Sequence, residues 1–406
     1  MIDQEFIDKY QSIVRLGLID DRYPLDHTTI QLPNGWYGIN SILEGFGQVL
    51  HDKFEYDEML VPTISTKAQF KAIPDALKGN LDEKVLKITH TGLTKLNDPF
   101  YLSYHPELVI PQIEKLTTRS YRDLPVKRLI SYFRYYESKG SVEVSLITDR
   151  EYPALDAEGI FATEEEYNKE IEEVTKEFKL FLSEKLHLYV FTAEKDHCLK
   201  YYAVLPDLTI LEVACLYKYG KELSAAIEFQ VLEANNKPAP PYIFDLNITS
   251  KMFAAIVANN SEVGKVILPS HLIRAHGTAY GVNISDYKGI RIDTTNKAFT
   301  ADAFKKIISE GQLFALKPAD AGKVTLVLEG GEETIDDAAL EEKLREVVKK
   351  HDEELEVKAK AQFEERVQKA VICIEKGAAA PEGYVEIGIK DGEKEKIAYA
   401  KPFLPL

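Results

Sequence analysis

The sequence predicts an α+β protein, with an antiparallel sheet flanked by helices and a smaller α/β unit at the C-terminal end. Three observations carry this prediction. Strand-like runs gather before helix-like ones instead of alternating with them one for one, which favours antiparallel pairing over a doubly wound sheet. There is no Gly-x-Gly-x-x-Gly and no glycine-rich loop ending in Gly-Lys-Ser or Gly-Lys-Thr, so nucleotide binding by either parallel-sheet route is unsupported. Near residue 275 the long apolar elements give way to short pieces around Gly281, Gly289, Gly311 and Gly322. With 406 residues this points to two domains or three, the main boundary dividing 1–275 from 276–406.

The elements follow in order. Phe6, Ile7, Tyr10, Ile13 and Val14 fall on one face of a helix over 3–17. A second helix, with Asn34 as its expected cap, carries Trp36, Ile39, Leu43, Phe46, Val49 and Leu50, and runs into a strand at Glu58–Val61 closed by Pro62. Lys84–His90 and Phe100–Tyr104 read as strands and Pro111–Leu116 as a helical turn. Leu129–Tyr135 is aromatic and β-branched, hence a strand, with Ser145–Thr148 expected as its antiparallel partner. Thr163 and Glu166 form a capping box before Tyr167, Ile171, Val174, Phe178 and Phe181 at helical spacing. Tyr201–Val204 and Thr209–Ala214 read as a strand pair, and Glu228–Leu232 as another strand. Asp245–Asn247 precedes an apolar helix over Thr249–Ala258. Lys323–Leu328 is a further strand, and a charged helix runs from Asp336 towards Glu375.

A formal net charge of −16 disfavours an extensive phosphate-binding surface and suits solubility. Cys198, Cys215 and Cys373 form no Cys-x-x-Cys and no metal-ligand spacing, which predicts neither a disulfide scaffold nor a zinc site. The N-terminal segment is acidic and amphipathic, unlike a signal peptide, and no stretch reaches membrane-spanning length. The expectation is a cytoplasmic protein without membrane contact.

Several phrases then resemble one family, the class II aminoacyl-tRNA synthetases of the prolyl type. The second helix, its strand and Pro62 resemble motif 1. Ser120-Tyr121-Arg122-Asp123-Leu124-Pro125, then Phe133-Arg134, resemble the approach to motif 2 and its start. Arg150-Glu151-Tyr152, with Asp156 and Ala157 following, resembles the second strand of that motif, and Phe161–Glu166 the helix start after it. Asn247–Ala258 and Gly264–Pro269 resemble motif 3 and its exit. The resemblance spans roughly residues 30–275 and implies a six- or seven-stranded antiparallel sheet, a homodimer formed through motif 1, and ATP bent over the sheet.

Amino-acid activation brings a carboxylate to the α-phosphate of ATP, so the site must neutralise and align two anions. By the resemblance, Arg134 grips the α-phosphate and Lys251 stands where motif 3 has an arginine, keeping the charge but losing the planar fork. Glu137, Arg150 and Tyr152 contact the nucleotide, Tyr152 as the stacking aromatic; His105, Glu107 and Asp156 contact the amino acid, and Mg2+ accompanies ATP. Departures are visible. Tyr136 takes the place of a glutamate two residues after the arginine, and Glu137 faces the opposite side of a regular strand unless a bulge intervenes. The motif 2 loop, Ser138–Val144, has one lysine where further arginines are usual. His105 replaces a hydroxyl residue, so the amino acid need not be proline. The sequence thus leaves two functions open: ATP-dependent amino-acid activation with tRNA or another acceptor, or a non-catalytic paralogue serving as a dimeric binding or regulatory module.

Overall fold

The computed structural model describes residues 3–71, 84–102, 110–138, 142–393 and 396–403. A ten-stranded sheet organises the chain. Its strands are β1 (Asp57–Met59), β2 (Val126–Tyr135), β3 (Glu151–Phe161), β4 (Phe191–Lys195), β5 (Cys198–Val204), β6 (Ile210–Gly220) and β7 (Tyr242–Thr249), joined at the far edge by three C-terminal strands. The central run β4-β5-β6-β7-β3-β2 is antiparallel throughout, and β1 adds to β2 in parallel. This is the antiparallel core that the sequence predicts.

Strand side chains alternate between faces, and the two faces differ sharply in chemistry. On one, Leu129, Leu155, Ala157, Leu216, Leu246 and Ile248 enter the main core. Four helices cover them: α1 (Gln4–Val14), α2 (Pro33–Phe54), α3 (Glu164–Leu180) and α4 (Lys251–Asn260). Phe178 of α3 sits 4.9 Å from the ring of Phe46 and 5.0 Å from that of Tyr201. Helices α2 and α4 approach so closely that a Cβ at Gly38 would lie 2.3 Å from the Phe253 ring, so only glycine fits there. The opposite face carries the polar residues described below.

The capping box at α3 forms as read: Thr163 accepts from the Glu166 amide and Glu166 reaches back to the Thr163 amide. Thr163→Ala is expected to cost about 1 kcal/mol, seen as a lower urea midpoint with an unchanged slope.

A second sheet of five strands follows: β8 (Gly277–Tyr280), β9 (Ile292–Thr295), β10 (Phe314–Pro318), β11 (Lys323–Leu328) and β12 (Gly331–Asp336). Its first three strands pair in parallel and the rest antiparallel. Helices α5 (Ala301–Ser309) and α6 (Leu340–Ala370) pack on it. The far end of α6 leaves this unit, and Phe363, Val367 and Ala370 join Phe191, Tyr202 and Ile387. From there β13 (Val371–Glu375), β14 (Val385–Lys390) and β15 (Lys396–Ala400) complete the main sheet, β14 meeting β4.

Several local expectations are corrected. Strand β2 pairs with β3, not with Ser145–Thr148. That short run is a turn in which the amides of Ile147 and Thr148 donate to the Val144 carbonyl and Leu146 takes φ 67°. Helix α2 has Pro33 at its first position and Leu32 at the cap, so Asn34 is inside the helix, and Trp36 is 41% exposed instead of lying on the core stripe. Only Val231–Leu232 of the 228–232 run is strand. The charged helix stops at Ala370, where Val371-Ile372-Cys373-Ile374 pairs with β15. Cys198 and Cys215 are disulfide-bonded across the β5–β6 pair, their Cα atoms 6.5 Å apart, because the hairpin brings together residues 17 apart in sequence.

Candidate functional site

The face of the sheet turned away from the four helices is laid out in rows by the strand register. Arg134 of β2 stands opposite Tyr152 of β3. Lys251, in the first turn of α4, places its ammonium 5.5 Å from the centre of the Tyr152 ring. A lysine at the start of a helix opposes the helix dipole, a cost of about 0.3–1 kcal/mol. Together with Arg134 and the bare amides of α4, which has no side-chain cap, it concentrates positive potential over this end of the sheet.

The next rows run away from that cationic end. Tyr132 faces Ala154, and Thr249 of β7 flanks Ala154 on its other side. Ile130, Asp156 and Asn247 form the following row, then Arg128, Glu158 and Asp245. A hydrogen-bonded spine links the first three rows. Arg134 Nε donates to the Tyr132 hydroxyl at 3.2 Å, the amide of Asn247 donates to the same hydroxyl at 3.4 Å, and it also donates to Asp156 Oδ1. Arg134 is buried with its guanidinium 5.9 Å from the Tyr132 ring centre.

The sequence singled out eight residues, and the structure distributes them unevenly. Arg134, Tyr152 and Asp156 share the face turned away from the four helices, and Lys251 reaches the Tyr152 ring from the start of α4. Glu137 and Arg150 meet each other beyond the end of β2: Arg150 Nη1 donates to Glu137 at 2.6 Å and Nη2 to Asp26 at 3.0 Å. Arg150 is therefore a clamp between the β2–β3 connection and the segment before α2. His105 and Glu107 lie outside the described residues, as does Lys139 of the motif 2 loop. Five residues on this face are not singled out as site residues by the sequence: Tyr132, Glu158, Asp245, Asn247 and Thr249. The available signal was a polar residue at every second position, 156 and 158 on one strand and 245, 247 and 249 on another, within otherwise apolar runs.

Among the described residues no group of three or more His, Cys, Asp or Glu is placed to hold a metal ion. No helix among them is long and apolar enough to cross a membrane.

No protein-family model matches the chain. In sequence it is similar to a proline–tRNA ligase of Methanopyrus kandleri, 24% identical over 277 residues, which covers 65% of this chain and 56% of that protein. A proline–tRNA ligase of Saccharolobus islandicus is 22% identical over 279 residues, 66% of this chain and 57% of its own. The match thus spans little more than half the length of these curated relatives. In structure the chain is similar to Giardia lamblia prolyl-tRNA synthetase in complex with prolyl-adenylate, with TM-score 0.80 over 99% of both chains at 16% identity. It is also similar to prolyl-tRNA synthetase from Cryptosporidium parvum complexed with halofuginone and AMPPNP, with TM-score 0.81 over 97% of this chain and 94% of that one at 14% identity. At such identities the structural likeness is one of fold. Sequence relatives and fold neighbours agree: the chain carries a prolyl-tRNA synthetase-like class II domain.

Proposed function

We propose that this domain activates an amino acid with ATP, forming an aminoacyl-adenylate. The observation that carries the reading is Arg134 opposite Tyr152 with Lys251 above the same ring. A triphosphate with an adjoining base suits that end of the sheet: two cations and a helix start for the phosphates, an aromatic face for the base. A carboxylate oxygen of the amino acid forms the new bond to the α-phosphorus, and the bond to the bridging oxygen breaks, releasing pyrophosphate. Arg134 neutralises the charge that builds on the α-phosphate oxygens, and Lys251 holds the phosphates that leave. Asp156, held by Asn247, takes the amino group, and His105 and Glu107 are further candidates for contact with the amino acid. Tyr152 stacks on adenine. Mg2+ carried on the triphosphate would supply further neutralisation of the phosphate charge beside Arg134 and Lys251. The activated acid passes to tRNA or another acceptor. The protein works in the cytoplasm as a homodimer, which light scattering would test.

One observation favours a second reading, a non-catalytic paralogue acting as a dimeric binding or regulatory module. Glu137 and Arg150, both expected at the nucleotide, are held by one another and by Asp26. Pyrophosphate exchange measured with every amino acid, alongside calorimetry with ATP, separates the two. Exchange with any acid supports activation; silence with all of them and no ATP binding supports the module.

A further inference from the structure

The ten-stranded and five-stranded sheets are joined through Ser270–Leu272, one turn of 3-10 helix. Leu272 and Ile273 anchor this turn in the main core. The chain then passes through His276 into β8, the first strand of the five-stranded sheet. The backbone of His276 belongs to that sheet: its amide donates to the Arg291 carbonyl, and its carbonyl accepts from the Leu313 amide. Its side chain reaches back to the turn and is only 1% exposed.

Ser270 is the hub of the joint. Its amide donates to Asp352 of α6 at 2.8 Å, and its hydroxyl donates to the same carboxylate. Its carbonyl accepts from Arg291 Nη2 at 2.6 Å and from His276 Nε2 at 3.0 Å. Nδ1 of the same ring accepts from the Arg291 amide at 3.2 Å. A backbone amide can only donate and a carbonyl can only accept, so the ring carries its proton on Nε2 and is neutral. Arg291 Nη2 lies 2.9 Å from that nitrogen, and a guanidinium does not give up its charge. A second proton, on Nδ1, would meet the Arg291 amide hydrogen and set two cations side by side out of reach of water.

The other groups around the ring do not offset this. Asp352 is held by Ser270, with His187, from the segment after α3, 3.9 Å away on Nε2. His351 of α6 is bound through Nε2 to the Leu268 carbonyl at 2.8 Å, and His271 of the turn through Nε2 to the Ser41 carbonyl of α2 at 3.3 Å. Tyr37 of α2 lies against the Arg291 guanidinium, 5.3 Å from ring centre. Burial, with Arg291 next, pushes the His276 ring down to about 4. Burial also lowers His271, with Arg291 and Lys185 acting in the same direction.

We infer that His276 is an acid-sensitive pin: when its ring takes a second proton, the five-stranded sheet loosens from the Ser270 turn while the ten-stranded sheet stays folded. The sign follows from the two environments of the ring. Freed from the joint it titrates near 6.5, and held there near 4. The hold is complete above pH 6.5 and is lost as pH falls from there towards 4. Between pH 7 and pH 4.5 the opening equilibrium should rise by up to about 60-fold.

Hydrogen exchange on the full chain at those two pH values, corrected for intrinsic exchange rates, reads the joint directly. Protection of the amides over 270–280 should fall about tenfold or more at the lower pH, while that of β5 and β6 changes by less than about threefold. His276→Gln is neutral at both pH values and keeps a donor where Nε2 stands; His276→Asn keeps an acceptor where Nδ1 stands. In either variant the fall over 270–280 should shrink to under about threefold. Equal loss of protection in both sheets overturns the inference, as does an unchanged joint at pH 4.5 or a fall that persists in a folded variant. The comparison between the two sheets within the unchanged chain decides the matter even if neither variant folds.

Discussion

Arg134→Ala should lower amino-acid-dependent pyrophosphate exchange by about 10²–10³-fold, the usual loss when one preorganised donor to a developing oxyanion is removed. The guanidinium lies on β2, next to the edge of the sheet, buried, with Tyr152 directly across from it and Nε tied to the Tyr132 hydroxyl. Its orientation is set before any ligand arrives, so little reorganisation is needed in the transition state. Arg134→Lys keeps the charge but not the fork that grips two oxygens and should recover only part of the activity. Tyr132→Phe removes the hydroxyl that accepts from both Arg134 Nε and the Asn247 amide while keeping the ring, and should cost about tenfold. The comparison distinguishes charge from positioning. Exchange by Arg134→Ala within a few fold of the unchanged protein, with its melting temperature preserved, would remove Arg134 from the chemistry altogether.

The parts of this molecule that were legible in its sequence are those where a local pattern and the tertiary outcome agree. Strand β2 reads from its aromatic and β-branched residues, and helix α3 from its capping box and apolar stripe. Strand β3 was harder to see. It contains Pro153, Asp156, Glu158 and Gly159, all poor strand formers, and holds its shape because ladders bind it on both edges, to β2 and β7. Ser145–Thr148 has better local credentials for a strand yet folds as a turn, since Leu146 and Ile147 must turn into the main core. Propensity loses to burial in both cases. The row of Glu158 and Asp245 was missed for a related reason. A lone Asp or Glu is by default a surface residue, and only the alternation along two separate strands reveals that Glu158 and Asp245 face each other inside. The disulfide was hidden because a cross-strand pair has no sequence spacing of its own.

Asp149→Asn should stabilise the protein at pH 8 and have almost no effect near pH 4. Asp149 lies in the connection between β2 and β3, next to the Arg150 clamp, and is only 3% exposed. Burial pushes its carboxyl up to about 7, against the opposing hydrogen bond from the Thr29 hydroxyl at 2.5 Å. Glu143 adds to the upward shift. The sign follows from the two states. An unfolded chain releases this proton near pH 4, while the folded protein keeps it to about 7. Between those limits the unfolded state binds fewer protons, so stability falls as pH rises and levels off above about 7. The loss amounts to about 4 kcal/mol at its upper bound. Asparagine is neutral at every pH, nearly the same shape, and still accepts from Thr29. The gap between the two proteins in melting temperature should therefore open from pH 4 to 7, reaching several degrees, and stay constant beyond. Parallel profiles across that range would show that Asp149 titrates at an ordinary value and that its pocket is wetter than its burial implies. Because the same connection joins the strands that present Arg134 and Tyr152, the cost of a buried charge at Asp149 bears directly on how firmly that pair is held at neutral pH.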